Sequence, residues 1–247
     1  HLLLMAMILY LSHRVGALSL SGFFGASTMG CLLILYGIPF HFLLLASFFI
    51  LSSCLNIFIK KFRSLKTKHS QRNVVQVFCN GGVPLLICII NYYNPSPNYY
   101  YLFAASVASA MSDTWATEFG KFSRMKPRAI TSFKTVSHGL SGGITFIGTL
   151  GSLMGSCVIG LLAYQLMSIE KYLIFGIILS GFLGSIIDSI LGDKLQSKYE
   201  TPSGEIVEKP QAGSIIISGH NLVNNDVVNL IATISGPLFM YLFISIT

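Results

Sequence analysis

The stretch YLIFGIILSGFLGSIIDSILG, residues 172–192, contains one ionisable side chain, Asp188, among apolar and small residues. As a helix rising about 1.5 Å per residue it extends about 30 Å, the thickness of a bilayer's hydrocarbon core. Gly176, Gly181 and Gly184 within it let helix backbones approach closely in lipid. A carboxylate inside such a run is costly and normally faces a cavity or a partner, which makes Asp188 a candidate functional residue.

Seven further apolar runs flank this one. Spans are expected near residues 1–13, 17–37, 39–59, 73–91, 99–119, 139–166 and 222–246. At about 20 residues each, eight crossings take up roughly 160 residues and leave only short connections. The composition agrees, with 53% hydrophobic residues and 10% charged residues. A soluble domain carries about 25% charged residues, so a soluble globule is excluded. The expectation is an all-α, polytopic membrane helix bundle of about eight transmembrane helices, forming a single integral membrane domain over residues 1–247. The chain opens at His1, directly in an apolar run, so the first span is expected to be incomplete or to follow a removed segment. Cys31, Cys54, Cys79, Cys88 and Cys157 are scattered without CxxC spacing, which suggests neither a zinc site nor a disulfide framework.

The net charge of +7 is arranged by loop. Arg14 falls in the first connection; Lys60, Lys61, Arg63, Lys66, Lys68 and Arg72 in the third; Lys121, Arg124, Lys126, Arg128 and Lys134 in the fifth; Lys194, Lys198 and Lys209 in the seventh. Only Lys171 lies on the other side, so the odd loops are expected to face the cytosol or the equivalent compartment of an organelle. Lys60, Lys61 and Lys66 are read wholly as this topological bias. No basic helix with interleaved aromatics is present, so no nucleic-acid partner is expected. Tyr92 and Tyr93, with the Pro95 and Pro97 turn, read as an interfacial cap on the opposite side.

With this topology the polar residues of the spans converge on the basic face. Asn73, Gln76 and Asn80 open the fourth span on one helical face, and Asp113, Thr117 and Glu118 close the fifth. Ser137, His138, Ser141 and their neighbouring glycines lead into the sixth, Asp188 and Ser189 close the seventh, and Asn221, Asn224, Asn225, Asp226 and Asn229 open the eighth. Carboxylates without matching intramembrane bases suggest a bound cation, and a donor set of Asp and Asn oxygens suits Mg²⁺. The adjacent lysines and arginines would then suit a polyphosphate. No Walker A motif and no kinase glycine-rich loop occurs, so a kinase here would not have a soluble kinase fold.

Two segments carry a family resemblance. Residues 112–120, SDTWATEFG, are followed by Pro127, Arg128, Ala129, Ile130 and Thr131, by Lys134, Thr135 and Val136, and by Gly139, Gly142 and Gly143. Residues 181–196, GFLGSIIDSILGDKLQ, form a second block, and residues 72–82 and 224–229 extend the match over nearly the whole chain. The pattern resembles the domain-of-unknown-function 92 family, which includes transmembrane protein 19 and the plant phytyl-phosphate kinase. A weaker similarity links Asp113-Thr114, Gly120-Lys121, the Ser132 to Gly139 block and Gly219-His220 to Asp226 with membrane cytidylyltransferases and dolichol or phytol kinases. The glycine pair and the Asp-Arg of those enzymes are absent here.

The resemblance implies a membrane-embedded phosphotransferase that uses a nucleoside triphosphate, with CTP expected, on an isoprenoid monophosphate such as phytyl phosphate. Asp113, Lys134 and Asp188 are the expected catalytic residues. Asp113 and Asp188 would hold Mg²⁺, with Asp226 or Asn225 as a third contributor. Phosphate contacts are expected from Asn73, Asn80, Lys121, Arg128, Thr135, Lys194 and His220. Gly142 and Gly143 would present backbone N–H groups at the start of the sixth helix. The partners expected are membrane lipid, the nucleotide and the prenyl phosphate; homo-oligomerisation is left open. The alternative is a transmembrane protein 19-like carrier that uses the same Asp and Asn residues as a cation site. Asp113 and Asp188 fall in spans running the same way, so they do not form the inverted repeat common in carriers.

Overall fold

The computed structural model describes residues 1–63, 71–167 and 169–247. Lys66 and Lys68 of the third connection, and Ser168, lie outside the described residues. The described residues form α1 (Leu2–Arg14), α2 (Leu20–Tyr36), α3 (Pro39–Arg63), α4 (Val74–Tyr93) and α5 (Pro97–Gly120), then α6 (Phe146–Met167), α7 (Lys171–Lys194) and α8 (Asn225–Ile246). These are the eight helices expected from the apolar runs. Several starts are fixed by capping groups. The Ser19 hydroxyl accepts from the Gly22 N–H at 3.1 Å, Asn73 and Gln76 form a reciprocal capping box, and Asn224 accepts from the Val227 N–H at 3.0 Å.

By length and composition α4, α6, α7, α8 and the Pro39–Lys61 part of α3 are each able to cross a membrane. Helices α1, with 13 residues, and α2, with 17, are shorter. Helix α5 differs in another way: Ser, Asp, Thr and Glu dilute its apolar content, and it forms the axis of the bundle. Every residue from Phe103 to Ser112 is buried, and the helix packs against α3, α4, α6, α7 and α8. Small residues make that packing close. A Cβ on Gly155 would lie 2.9 Å from the Met111 carbonyl oxygen, and one on Gly236 would lie 2.6 Å from that of Ala105. Buried hydroxyls bind the same helices together. Ser112 donates to the Ser152 carbonyl at 2.8 Å, Ser152 to Ser185 at 3.0 Å, and Ser109 to the Ala232 carbonyl at 2.8 Å.

The odd-numbered connections meet at one end of the bundle. The Arg72 N–H donates to the Ala17 carbonyl at 3.0 Å and the Ser19 N–H to the Arg72 carbonyl at 3.1 Å, which joins the first and third connections. The fifth and seventh are joined by the Ser141 N–H, which donates to Glu208. At the other end Tyr36, Tyr92 and Tyr93 pack ring against ring, as suits an interfacial cap.

Two departures from the sequence reading occur in these connections. Residues 139–145 do not begin the sixth helix, because Gly139 and Gly142 adopt φ of +89° and +77° and break the helical path. Instead β1 (Arg128–Ala129) and β2 (Gly143–Ile144) pair antiparallel, and α6 starts at Phe146. The seventh connection forms β3 (Lys198–Glu200), β4 (Ile206–Val207) and β5 (Ile215–Ser218) in the antiparallel order β4-β3-β5. Strands of two to four residues are too short to leave an alternating pattern in the sequence.

Candidate functional site

A polar chamber of about 830 Å³ lies where the helix ends meet the odd connections. Its floor is built at one depth. Asp113 lies seven residues from the end of α5 and Asp188 six from the end of α7, each about 10 Å along its helix from the basic face. Asn80 and Asn229 line the chamber from the second turns of α4 and α8. Ser152 and Ser185 line its inner wall, and their hydroxyls are bonded to each other.

The Asp113 and Asp188 side chains are within hydrogen-bonding reach of one another. Two carboxylates so close repel unless a proton or a cation lies between them. The Asp188 Oδ2 atom is buried and has no hydrogen-bond partner. An orphaned carboxylate oxygen beside a second carboxylate, in a chamber that Ser189 and Asn225 also line, is oxygen-donor chemistry that fits a hard divalent cation. Among the described residues no group of three or more His, Cys, Asp and Glu is placed to hold a metal, so Asp226 does not join the pair. Asp226 instead sits in the first turn of α8, where a carboxylate suits the helix dipole, and Asn225 lines the chamber.

The chamber also carries cations. Lys60, Arg72 and Lys121 line it, with Glu118 among them. Glu118 is only 6% exposed; it accepts from Asn56 Nδ2 at 2.7 Å and from Lys121 Nζ at 2.6 Å, and its Oε2 atom is buried without a partner. Arg72 lies over the rings of Phe48 and Phe49, 5.6 and 5.3 Å from their centroids, and donates to Ser53 Oγ at 3.4 Å. Burial draws its pKa down to about 10, with the Glu118 charge opposing the shift, so it remains a cation at neutral pH. His138 and Glu208, contributed by the connections, close over the chamber, and Glu208 is near enough to act electrostatically on Asp188.

The expected site residues divide accordingly. Asp113, Asp188, Asn80, Lys121, Gly142 and Gly143 line the chamber. Asn73, Arg128, Lys134, Thr135, Lys194, His220 and Asp226 do not. Asn73 is occupied as the cap of α4, while Arg128, Lys134 and Thr135 are exposed on a hairpin in which the Ala129 N–H donates to the Lys134 carbonyl at 2.9 Å. Lys194 and His220 are exposed beside the small sheet. Gly142 and Gly143 are near a different role from the one expected, since neither begins a helix. A Cβ on Gly142 would run into Asp193, and Asp193 accepts from both the N–H and the hydroxyl of Thr131. Thr131, Gly142, Gly192 and Asp193 therefore dock the hairpin against the end of α7. Sequence reasoning passed over Lys60 and Arg72, which charge counting assigned to topology, and Glu208, which sits in a polar connection with no pattern to single it out.

A helix bundle with small-residue packing, exposed apolar side chains on its outer helices and a polar chamber at one end defines an integral, multi-pass membrane protein. The chain matches the integral membrane protein DUF92 family over residues 3–237 and belongs to it. It is 34% identical to an uncharacterized membrane protein of Methanocaldococcus jannaschii, covering 88% of this chain and 82% of that one. It is 28% identical to Protein PGR of Arabidopsis thaliana over 92% of this chain and 89% of the relative, and 25% identical to an uncharacterized membrane protein of Synechocystis over 68% and 67%. No solved structure matches significantly.

Proposed function

We propose that the protein is a Mg²⁺-dependent phosphotransferase that moves the terminal phosphoryl group of a nucleoside triphosphate, CTP by the family resemblance, to an isoprenoid monophosphate at the basic membrane face. The observation that carries this reading is the Asp113–Asp188 pair, with its orphaned Asp188 oxygen, lining a chamber that Lys60, Arg72 and Lys121 also line. Asp113 and Asp188 would hold the metal, which supplies charge neutralisation between phosphate groups. Lys60, Lys121 and Arg72, which line the same chamber, would bind the phosphates of the two substrates, with the Arg72 guanidinium able to offer a planar fork. An acceptor phosphate already ionised near neutral pH needs no general base, so positioning and electrostatics can supply the catalysis. The roles first expected for Lys134, Arg128, Lys194 and His220 pass to these chamber cations.

The test uses protein purified in nanodiscs, Mg²⁺, each γ-labelled nucleoside triphosphate and a panel of prenyl alcohols and monophosphates. The label is expected in a prenyl diphosphate with a nucleoside diphosphate as co-product, and EDTA should abolish it. Pyrophosphate release with a cytidylyl lipid would replace this reading with nucleotidyl transfer. Solute or ion movement in proteoliposomes with no metal-dependent product would replace it with a carrier.

A further inference from the structure

A second cavity, narrow and almost wholly apolar, runs between α1, α2, α3 and α4 with a volume of about 90 Å³. It is lined by Met5 and Leu9 from α1, Met29 and Gly30 from α2, and Phe42 and Ala46 from α3, among others. Its polar residues are Arg72, Gln76 and Asn80, and all three also line the large chamber. The two cavities therefore share a wall formed by these three residues, a cation among them. Among the described residues Arg72 makes no ion pair, and its single side-chain hydrogen bond is the long one to Ser53. A cation held at the mouth of an apolar groove, with Glu118 acting on it only from a distance and no carboxylate in contact, is complementary to the anionic end of an amphiphile.

The groove's width is set by adjustable groups. A Cβ on Gly30 would meet the Met5 sulfur at 2.5 Å, and one on Gly81 would meet the side chain of Met29, so two flexible thioethers occupy the space these glycines leave. Methionine side chains repack around irregular apolar ligands. As it stands the space has room for about three methylene-sized groups, so a longer chain enters only as Met5 and Met29 swing aside; it is far smaller than the chamber that would take a head group.

We infer that the groove between α1 and α4 seats the single hydrocarbon chain of the lipid monophosphate ligand, and that Arg72 at its mouth positions that ligand's phosphate at the edge of the chamber. The inference deepens the phosphotransferase reading by naming where its acceptor lies and what measures the acceptor's chain, but ligand binding can be read without turnover.

The experiment uses the full chain in phosphatidylcholine nanodiscs, without nucleotide, and farnesyl monophosphate carrying a diazirine in its tail. Photolabel is expected on peptides of α1 and α2 that contain Met5 and Met29. Ala46→Trp fills the groove and should weaken farnesyl monophosphate binding by at least about tenfold, because several buried methylene contacts are lost. Methyl phosphate, which has no tail to place, should bind the variant as it binds the wild type; that retained binding also shows that the variant is folded. Arg72→Gln should weaken both monophosphates by at least about tenfold while leaving farnesol retention unchanged, and Arg72→Lys should restore part of the loss. Photolabel confined to the outer faces of α6 to α8, equal competition by dioleoyl phosphatidate, or an unaltered chain-length preference in Ala46→Trp would overturn the inference. The two readings fail separately. Binding that follows this pattern without any phosphoryl product removes the phosphotransferase and keeps the groove, whereas normal turnover of long acceptors by Ala46→Trp removes the groove and keeps the phosphotransferase.

Discussion

The two halves of the bundle solve the packing problem differently. In α6 and α8 three glycines face backbone, although Gly151, Gly160 and Gly176 of the same half face side chains: the missing Cβ on Gly148 would lie 2.9 Å from the Ala116 carbonyl oxygen, that on Gly155 2.9 Å from Met111 and that on Gly236 2.6 Å from Ala105. In α1 to α4 the glycines at Gly30 and Gly81 face methionine side chains, and a cavity remains beside them. Backbone against backbone leaves nothing that can move by itself, so the half carrying Asp113 and Asp188 is held rigid, with serine hydroxyls crossing between its helices. Methionine against glycine leaves room to adjust. A carboxylate platform beside an adaptable apolar groove is the division that the proposed phosphotransferase would need, since metal ligation tolerates little displacement and a hydrocarbon chain offers no directional contacts.

The largest expected effect falls on the rigid half. Asp188→Asn preserves size and hydrogen-bonding capacity but removes the charge, and turnover should fall by about 100-fold or more in a protein that still inserts and purifies normally. The labelled-nucleotide assay, paired with gel filtration in detergent, checks this. An active Asp188→Asn protein would reduce the carboxylate to a packing group and leave the platform without a chemical purpose.

Next come two glycine substitutions that probe the comparison itself. Gly155→Ala places a methyl group against the Met111 carbonyl, where neither helix can yield alone, and a cost of about 1 to 3 kcal/mol is expected. Gly81→Ala asks only that Met29 change rotamer, and the helix propensity gained offsets much of the cost, so stability should change by less than about 1 kcal/mol. Thermal unfolding of both variants in the same detergent measures the difference. Equal losses would mean that the two halves are packed alike.

The contrast between the halves was only partly legible in the sequence. Apolar runs of bilayer length located all eight helices to within a few residues, except that α6 begins at Phe146 rather than near residue 139. That departure has a local cause in the positive φ of Gly139 and Gly142, which a window of hydropathy averages over. Convergence of polar residues on one face followed from topology alone, and the hydrogen bonds between Arg72 and Ala17 and between Ser141 and Glu208 express it in the structure. The residues that complete the chamber were harder to find. Arg72 is one of six basic residues in its connection, and nothing local separates it from neighbours that follow the positive-inside bias. Its distinction is tertiary, since the aromatic shelf of Phe48 and Phe49 comes from α3. Glu208 is likewise brought over the chamber by a sheet whose strands are too short to announce themselves.

The smallest expected effect separates the chamber from the hairpin that the family motif also includes. Lys134 and Arg128 belong to the same motif as Asp113, yet both are exposed and neither lines the chamber. What the hairpin contributes is the docking of Thr131 onto Asp193, which braces the end of α7 six residues beyond Asp188. An exposed lysine acts on a distant phosphate only through solvent, where its field is screened within about 8 Å at physiological salt. Lys134→Ala should therefore change turnover by less than about twofold, and raising the ionic strength should erase what difference remains. Thr131→Ala should do more than Lys134→Ala, by lowering metal affinity as the brace on α7 loosens, with nucleotide affinity little changed. Measured Mg²⁺ dependence of the two variants decides between these positions. A loss of tenfold or more in Lys134→Ala, with Thr131→Ala unaffected, would move the phosphate site out of the chamber and onto the hairpin.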